Sequence, residues 1–265
     1  MHLSGNIRLQ GGKYEIIEKI GQGGFGIAYK ANHLLLNKIV CIKEFFYSDL
    51  CERKQNSSEL TIISASSEKI QLVDSFKKKF IKEAQRLAAF QHPNIVQVTD
   101  VFEENNTAYF VMEYLEGGSL QDKLDKTTLT EDQTLKIILP VLDALSAVHL
   151  DIKPTNIMFR KDGTPVLIDF DISKDMANSV GQTSTAPIGL SKGYAPIEQY
   201  GGDVSDFSEA TDIYSVCATM YRMTTGLVPP EPLQIMANGL TSPTDIQQEL
   251  SMKFSDAIVK GLSVK

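Results

Sequence analysis

The chain has 265 residues, enough to bury a substantial core in one large domain or two smaller lobes, and its 42% hydrophobic and 22% charged content is that of an ordinary globular protein. A formal net charge of -7 excludes a general binder of nucleic acid or of anionic membrane, because an acidic surface repels both. Cys41, Cys51 and Cys217 form neither a C-x-x-C pair nor a zinc-ligand spacing, residues 1–12 lack the apolar core of a signal peptide, and no stretch reaches the length of a membrane span, so a reducing, cytoplasmic setting is expected.

Residues 14–20 and 27–32 read as two strands joined by Gly21-Gln22-Gly23-Gly24-Phe25-Gly26. Glycines at the first, third and sixth positions let backbone N–H groups approach an anion with no Cβ in the way. A Rossmann turn with this pattern should open a helix, but Ile27-Ala28-Tyr29-Lys30 continues as strand. Residues 39–46 form a third strand-like run, Val40-Cys41-Ile42-Lys43-Glu44-Phe45, with a lysine among apolar neighbours. Residues 47–75 are rich in Ser, Asn, Lys and Glu and read as an insertion with mobile parts.

Residues 74–90 then carry helical spacing, with Phe76, Phe80, Ala84, Leu87 and Phe90 as the apolar stripe and Glu83 beside it. Residues 95–102 and 107–115 read as antiparallel strands, followed by Met112-Glu113-Tyr114-Leu115-Glu116-Gly117-Gly118. Beyond this point the chain turns helix-rich. Thr130-Glu131-Asp132-Gln133 has capping-box spacing. Leu135, Ile138, Leu139, Leu142, Leu145 and Val148 suggest an apolar face, within which Pro140 predicts a kink or break.

His149-Leu150-Asp151-Ile152-Lys153-Pro154-Thr155-Asn156 gathers a carboxylate, an ammonium and an amide in a few positions. Ile157-Met158-Phe159 and Pro165-Val166-Leu167-Ile168 flank Lys161-Asp162-Gly163 as a hairpin that carries Asn156 and Asp169 towards one point. Asp151 can accept the proton of an attacking hydroxyl, Lys153 can offset charge on a transferring phosphoryl group, and Asn156 and Asp169 offer hard oxygens to Mg²⁺. Residues 172–193, rich in Ser, Thr and Gly, read as a long loop in which Thr183, Ser184 and Thr185 are candidate phosphosites. Ser191 is a candidate contact of Asp151 and Lys153. Residues 208–225 read as a capped helix containing Asp212-Ile213-Tyr214-Ser215, and residues 254–262 as a further short helix.

In this order the motifs resemble those of the bacterial, eukaryotic-like Ser/Thr protein kinases over nearly the whole chain. The resemblance implies an α+β, two-lobed fold: an N-lobe of antiparallel sheet plus the αC helix over residues 1–114, with the insertion at about 47–75, and a mainly helical C-lobe over 115–265. MgATP is then expected between the lobes, with Gly21, Gly23 and Gly26 over the phosphates and Lys43 paired to Glu83. Met112 is the implied gatekeeper. Backbone groups of Glu113 and Leu115 face adenine, and Ala28, Cys41 and Met158 complete the nucleotide-binding set. Asp151 and Lys153 are the implied catalytic residues, Asn156 and Asp169 the metal ligands, and the substrate a Ser/Thr-bearing protein, itself included. Asp212 is implied to brace the catalytic loop.

Four departures from the family pattern stand out. Leu150 replaces the arginine of H-R-D, which removes the cation that pairs with a phosphorylated activation loop. Asp171 replaces the glycine of D-F-G and is open to three readings: it stiffens the segment, repels nucleotide phosphate or assists the metal. His149 runs directly into the catalytic loop where the family spaces them, so missing residues between His149 and Leu150 are expected, in preference to a true deletion. Gly193-Tyr194-Ala195-Pro196-Ile197-Glu198 resembles the A-P-E end of the segment, yet the chain stops before the arginine that pairs with such a glutamate, and truncation is expected. A pseudokinase, binding nucleotide or acting as a scaffold, is therefore the alternative function.

Overall fold

Alternation of apolar and polar residues in the first third of the chain builds a curled antiparallel sheet. In a computed structural model that describes residues 2–54, 57–63, 66–145, 152–168, 191–200 and 209–263, its strands are β1 (Arg8–Leu9), β2 (Tyr14–Gln22), β3 (Gly26–His33), β4 (Lys38–Phe45), β7 (Val98–Glu104) and β8 (Thr107–Glu113), in the order β1-β2-β3-β4-β8-β7. Asn105 and Asn106 turn β7 into β8 with positive φ of 54° and 60°, the geometry that a tight hairpin needs and that asparagine tolerates. One face of the sheet packs on α1 (Ser67–Ala89), through Phe45 and Phe110 against Phe80.

The opposite face carries a fully buried carboxylate, Glu44. It is met by the guanidinium of Arg53, by the Tyr29 hydroxyl at 2.7 Å and by the Tyr109 hydroxyl at 3.0 Å, while the Tyr29 oxygen accepts from Leu3 N–H at 3.0 Å. A buried charge survives only when so partnered. Arg53 belongs to a small hairpin, β5 (Cys51–Arg53) and β6 (Leu60–Ile62), so the stretch expected to be an insertion with mobile parts holds an anchored hairpin. The helix after it also begins at Ser67, earlier than the stripe suggested, because its first turns bury only Val73. Phe90 is that helix's C-cap rather than part of its buried face.

A second compact unit comprises His92–Ile95 and the described residues from Leu115 onward, the first being Met1–Gln91 with Val96–Tyr114. It holds α2 (Leu120–Leu124), α3 (Glu131–Leu145), the hairpin β9 (Ile157–Phe159) with β10 (Pro165–Leu167), α4 (Glu209–Thr225), α5 (Pro232–Asn238), α6 (Pro243–Ile246) and α7 (Met252–Gly261). The capping box at α3 is present: Thr130 N–H donates to Gln133 Oε1 at 3.0 Å and Gln133 N–H to Thr130 Oγ1 at 3.3 Å. The helix runs through Pro140 without a break. Its buried face is Thr134, Ile138, Val141 and Ala144, whereas Leu139 and Leu142 are exposed, so the apolar face is rotated from the one the leucines suggested. α4 is the unit's central helix and packs on α3, α6 and α7. Among the described residues no helix is long and apolar enough to cross a membrane.

Candidate active site

Strand register in the first unit sets one row of candidate residues side by side. Gly21 pairs with Ala28, Ala28 with Lys43, and Lys43 with Phe110, and side chains paired directly across an antiparallel sheet share a face. The Lys43 ammonium lies 5.7 Å from the centre of the Phe110 ring. That ring is 5.0 Å from Phe80 of α1, and Glu83, one turn further along the helix, is only 6% exposed. Lys43 therefore stands against one ring of this aromatic pair, and Glu83 is buried one turn along the helix that supplies the other. A solvent-facing Glu83 is ruled out.

Gly26 closes the glycine loop where a side chain would not fit: a Cβ there would stand 2.9 Å from the Glu44 carbonyl and 3.6 Å from the Lys43 side chain. Gly23 and Gly24, by contrast, face open space. A polyanion therefore fits this loop, with bare backbone on one side and an ammonium on the neighbouring strand. The next row of the sheet pairs Lys30 with Cys41 and Cys41 with Met112, both of the latter buried. Burial pushes the Cys41 thiol up to about 12 against the opposing pull of Lys43, which leaves it a small apolar surface and not a nucleophile. Glu113 donates its N–H to the Gln97 carbonyl at 3.2 Å, and its carboxylate accepts from Gln97 N–H at 3.3 Å.

In the second unit Leu115 is buried, and the turn after it is stitched to β9. Gly117 N–H donates to the Phe159 carbonyl at 2.8 Å and Phe159 N–H to the Gly118 carbonyl at 3.0 Å, while Ser119 bridges Met158. A Cβ on Gly117 would fall 2.7 Å from Phe159 and Arg160, so only glycine allows this approach. Met158 is thereby fixed beside the turn that follows Leu115.

Lys153 precedes the tight turn Pro154–Asn156, where proline's missing N–H costs nothing at the first position. Its ammonium donates to Ser191 Oγ at 2.9 Å, as expected from the sequence. Asn156, 7% exposed, donates its N–H to the Lys153 carbonyl at 2.9 Å and accepts from Ile168 N–H at 3.1 Å, so the end of β10 is held against it. Asp151, Asp169, His149, Leu150 and Asp171 lie outside the described residues, as do Thr183, Ser184 and Thr185.

One set of residues escaped the sequence reading. Along one face of α4, Thr211 donates to Glu198 Oε1 at 2.8 Å, Ser215 to the Tyr194 carbonyl at 2.9 Å and Thr219 to the Ile152 carbonyl at 3.4 Å. Three hydroxyls at i, i+4 and i+8 thus hold the end of the 191–200 segment and the residue next to Asp151 on a single rigid helix. The spacing was visible, but small hydroxyl residues inside a helix ordinarily bond their own backbone. Glu198, whose expected arginine partner would follow the given sequence, accepts instead from the Thr211 hydroxyl. Asp212 is half-buried on the same helix, and residues 149–151 of the loop it is expected to brace lie outside the described residues.

A family model described as the protein kinase domain matches residues 14–260. The chain is 29% identical to a probable serine/threonine-protein kinase of Clostridium perfringens, over 96% of this chain and 36% of that protein. It is 30% identical to serine/threonine-protein kinase B of a Synechocystis species, over 98% of this chain and 45% of that one. It therefore spans less than half the length of either relative. Among solved structures, the apo form of PpkA-294 superposes with a TM-score of 0.86 at 27% identity, covering 99% of this chain and 93% of that one.

Proposed function

The chain belongs to the protein kinase domain family, and on that premise we propose that it transfers the γ-phosphoryl group of ATP to a serine or threonine hydroxyl of a protein, its own included. The observation that carries this reading is the Lys153–Ser191 hydrogen bond of 2.9 Å, which aims an ammonium next to the proposed base at the segment that would seat a substrate hydroxyl. Lysine and proline after the catalytic aspartate favour Ser/Thr over Tyr.

In this reading Gly21, Gly23 and Gly26 cover the phosphates and Lys43, set by Glu83, orients them. Ala28, Cys41, Met112 and Met158 supply apolar contact to the base, with backbone groups of Glu113 and Leu115 giving it hydrogen bonds. Asp151 positions the incoming hydroxyl and takes its proton. Lys153 offsets charge that develops on the transferred group. Asn156 and Asp169 would hold Mg²⁺, which would supply neutralisation of phosphate charge. An amide and a carboxylate oxygen are the hard donors such an ion takes. The acidic chain suits protein substrates better than nucleic acid, and cytoplasmic ATP is the natural donor.

One sequence feature favours a second reading. Asp171 adds a Cβ and a charge where the family has glycine, which suits a pseudokinase that binds nucleotide without using it. Incubation with γ-labelled ATP, a generic basic protein and Mg²⁺ separates the two. Label in the acceptor or in the chain itself, abolished by chelation, is expected of the enzyme; nucleotide binding with no transfer is expected of the scaffold.

A further inference from the structure

The tip of the glycine loop is tied down by residues that the proposed chemistry does not use. The ring of Phe25 stacks on Tyr47 with centroids 4.8 Å apart and planes at 19°, and meets Phe76 of α1 edge-on at 5.8 Å; Tyr47 and Phe76 meet edge-on at 5.5 Å. Tyr47 is 6% exposed and Phe76 fully buried. Backbone follows the rings, with Phe46 N–H donating to the Phe25 carbonyl at 3.0 Å and Gly23 N–H to the Gly26 carbonyl at 2.9 Å.

Tyr47 opens the hairpin that Arg53 anchors on Glu44. Leu50 and Cys51 N–H groups both donate to the Tyr47 carbonyl, at 3.1 and 2.7 Å, and Leu60 N–H donates to the Asn105 carbonyl at 2.8 Å. The inserted segment is therefore fastened at three places: on the strand residue next to Lys43, on the β7–β8 turn, and through Tyr47 on both the glycine loop and α1. Phe76 and Glu83 lie two turns apart on the same face of that helix, since residues seven apart in a helix are eclipsed.

We infer that residues 46–54 together with 57–63 are a clasp and that Tyr47 is a positioning residue for the glycine loop. By stacking on Phe25 while packed against Phe76, Tyr47 makes the loop over the phosphates move with the helix that carries Glu83. A loop so held has lost in advance the freedom it would otherwise surrender on binding a triphosphate, which strengthens binding of the phosphates and leaves contacts to adenosine unchanged. The inference deepens the proposed phosphotransfer and rests on it.

The test compares wild type with Tyr47→Ala, Tyr47→Phe and, because Tyr47 is in the core, the milder Phe25→Leu. Hydrogen exchange of residues 21–27 is followed without nucleotide, and affinities for ATP and for adenosine are measured by calorimetry. Tyr47→Ala and Phe25→Leu should speed exchange in the loop and weaken ATP about three- to tenfold with adenosine unchanged, and Tyr47→Phe, which keeps the ring, should match wild type. Unchanged loop exchange, equal losses for ATP and adenosine, or a Tyr47→Phe variant as impaired as Tyr47→Ala would overturn the clasp. Failure of wild type to bind either ligand would instead overturn the kinase reading, and the exchange comparison would still decide the clasp.

Discussion

Thr211 Oγ1 donates to Glu198 Oε1 at 2.8 Å, so a glutamate near the end of the 191–200 segment is held by a hydroxyl of the central helix. A hydrogen bond to a charged acceptor contributes about 1.5–3 kcal/mol. Thr211→Val should therefore lower stability by about that amount in a denaturant titration, and Thr211→Ser, which keeps the hydroxyl, should recover most of it. Equal midpoints for Thr211→Val and wild type would mean that Glu198 is held by something else.

Lys153 and Ser191 differ in what their loss should do to turnover. In the role proposed for Lys153, removing the ammonium takes away a charge beside the transferring group, and such deletions cost about 10²–10³ in kcat. Removing the Ser191 hydroxyl takes away one hydrogen bond of the lysine and leaves its charge in place, so Ser191→Ala should cost about tenfold, the equivalent of one ordinary hydrogen bond. Steady-state kinetics should rank Lys153→Ala well below Ser191→Ala with ATP affinity little changed in both; the reverse ranking would reject the role given to Lys153.

The Glu44–Arg53 pair makes a prediction about stability alone. Both side chains are essentially without solvent contact, at 0% and 1% exposure. Arg53→Met strands a buried carboxylate and should cost about 3–5 kcal/mol, whereas adding Glu44→Gln removes the charge and should restore a large part. Chemical denaturation of the two single variants and the double variant forms the cycle that checks it, and additive losses would contradict a coupled pair.

Asp100 gives a pH dependence with a definite sign. Burial pushes its carboxyl up, but hydrogen bonds from the Lys13 ammonium at 2.6 Å and the Tyr14 hydroxyl at 2.9 Å outweigh that and hold it below the usual range. Its stabilisation is whole above the unfolded carboxyl value of about 3.9 and is lost as pH falls through the lower folded value. Lys13 stands partly in solvent, so the pair is worth no more than about 1 kcal/mol, or about 2–4 °C in Tm for a chain of this size. The Tm gap between wild type and Asp100→Asn should be constant from pH 8 to about 5 and narrow below that. A gap that widens towards acid would invert the assignment.

How much of this was legible in the sequence follows from the range of each interaction. The capping box at Thr130 and Gln133, the hairpin over residues 157–167 and the Lys153–Ser191 contact follow from short-range chemistry or from an ordered set of motifs. The face of α3 did not, because Leu135, Leu139 and Leu142 repeat as regularly as the Thr134, Ile138 and Val141 that are buried, and only packing against α4 chooses between them. Arg53 gave no signal either. It lies in a polar stretch that reads as loop, and its buried partner precedes it by nine positions with no periodicity to link them. The Thr211, Ser215 and Thr219 face was missed for a related reason: a hydroxyl that bonds a distant segment looks identical in sequence to one that bonds its own helix.

On the proposed mechanism, Asp151 takes the proton of an incoming hydroxyl while other residues hold the nucleotide. Asp151→Asn keeps the shape and removes the basic carboxylate. The decisive measurement is Mg²⁺-dependent transfer of γ-labelled phosphate by wild type and Asp151→Asn, with ATP affinity determined on the same samples. Transfer that falls to background in the variant while ATP affinity stays within about twofold is the predicted result. Equal transfer by both proteins would contradict it.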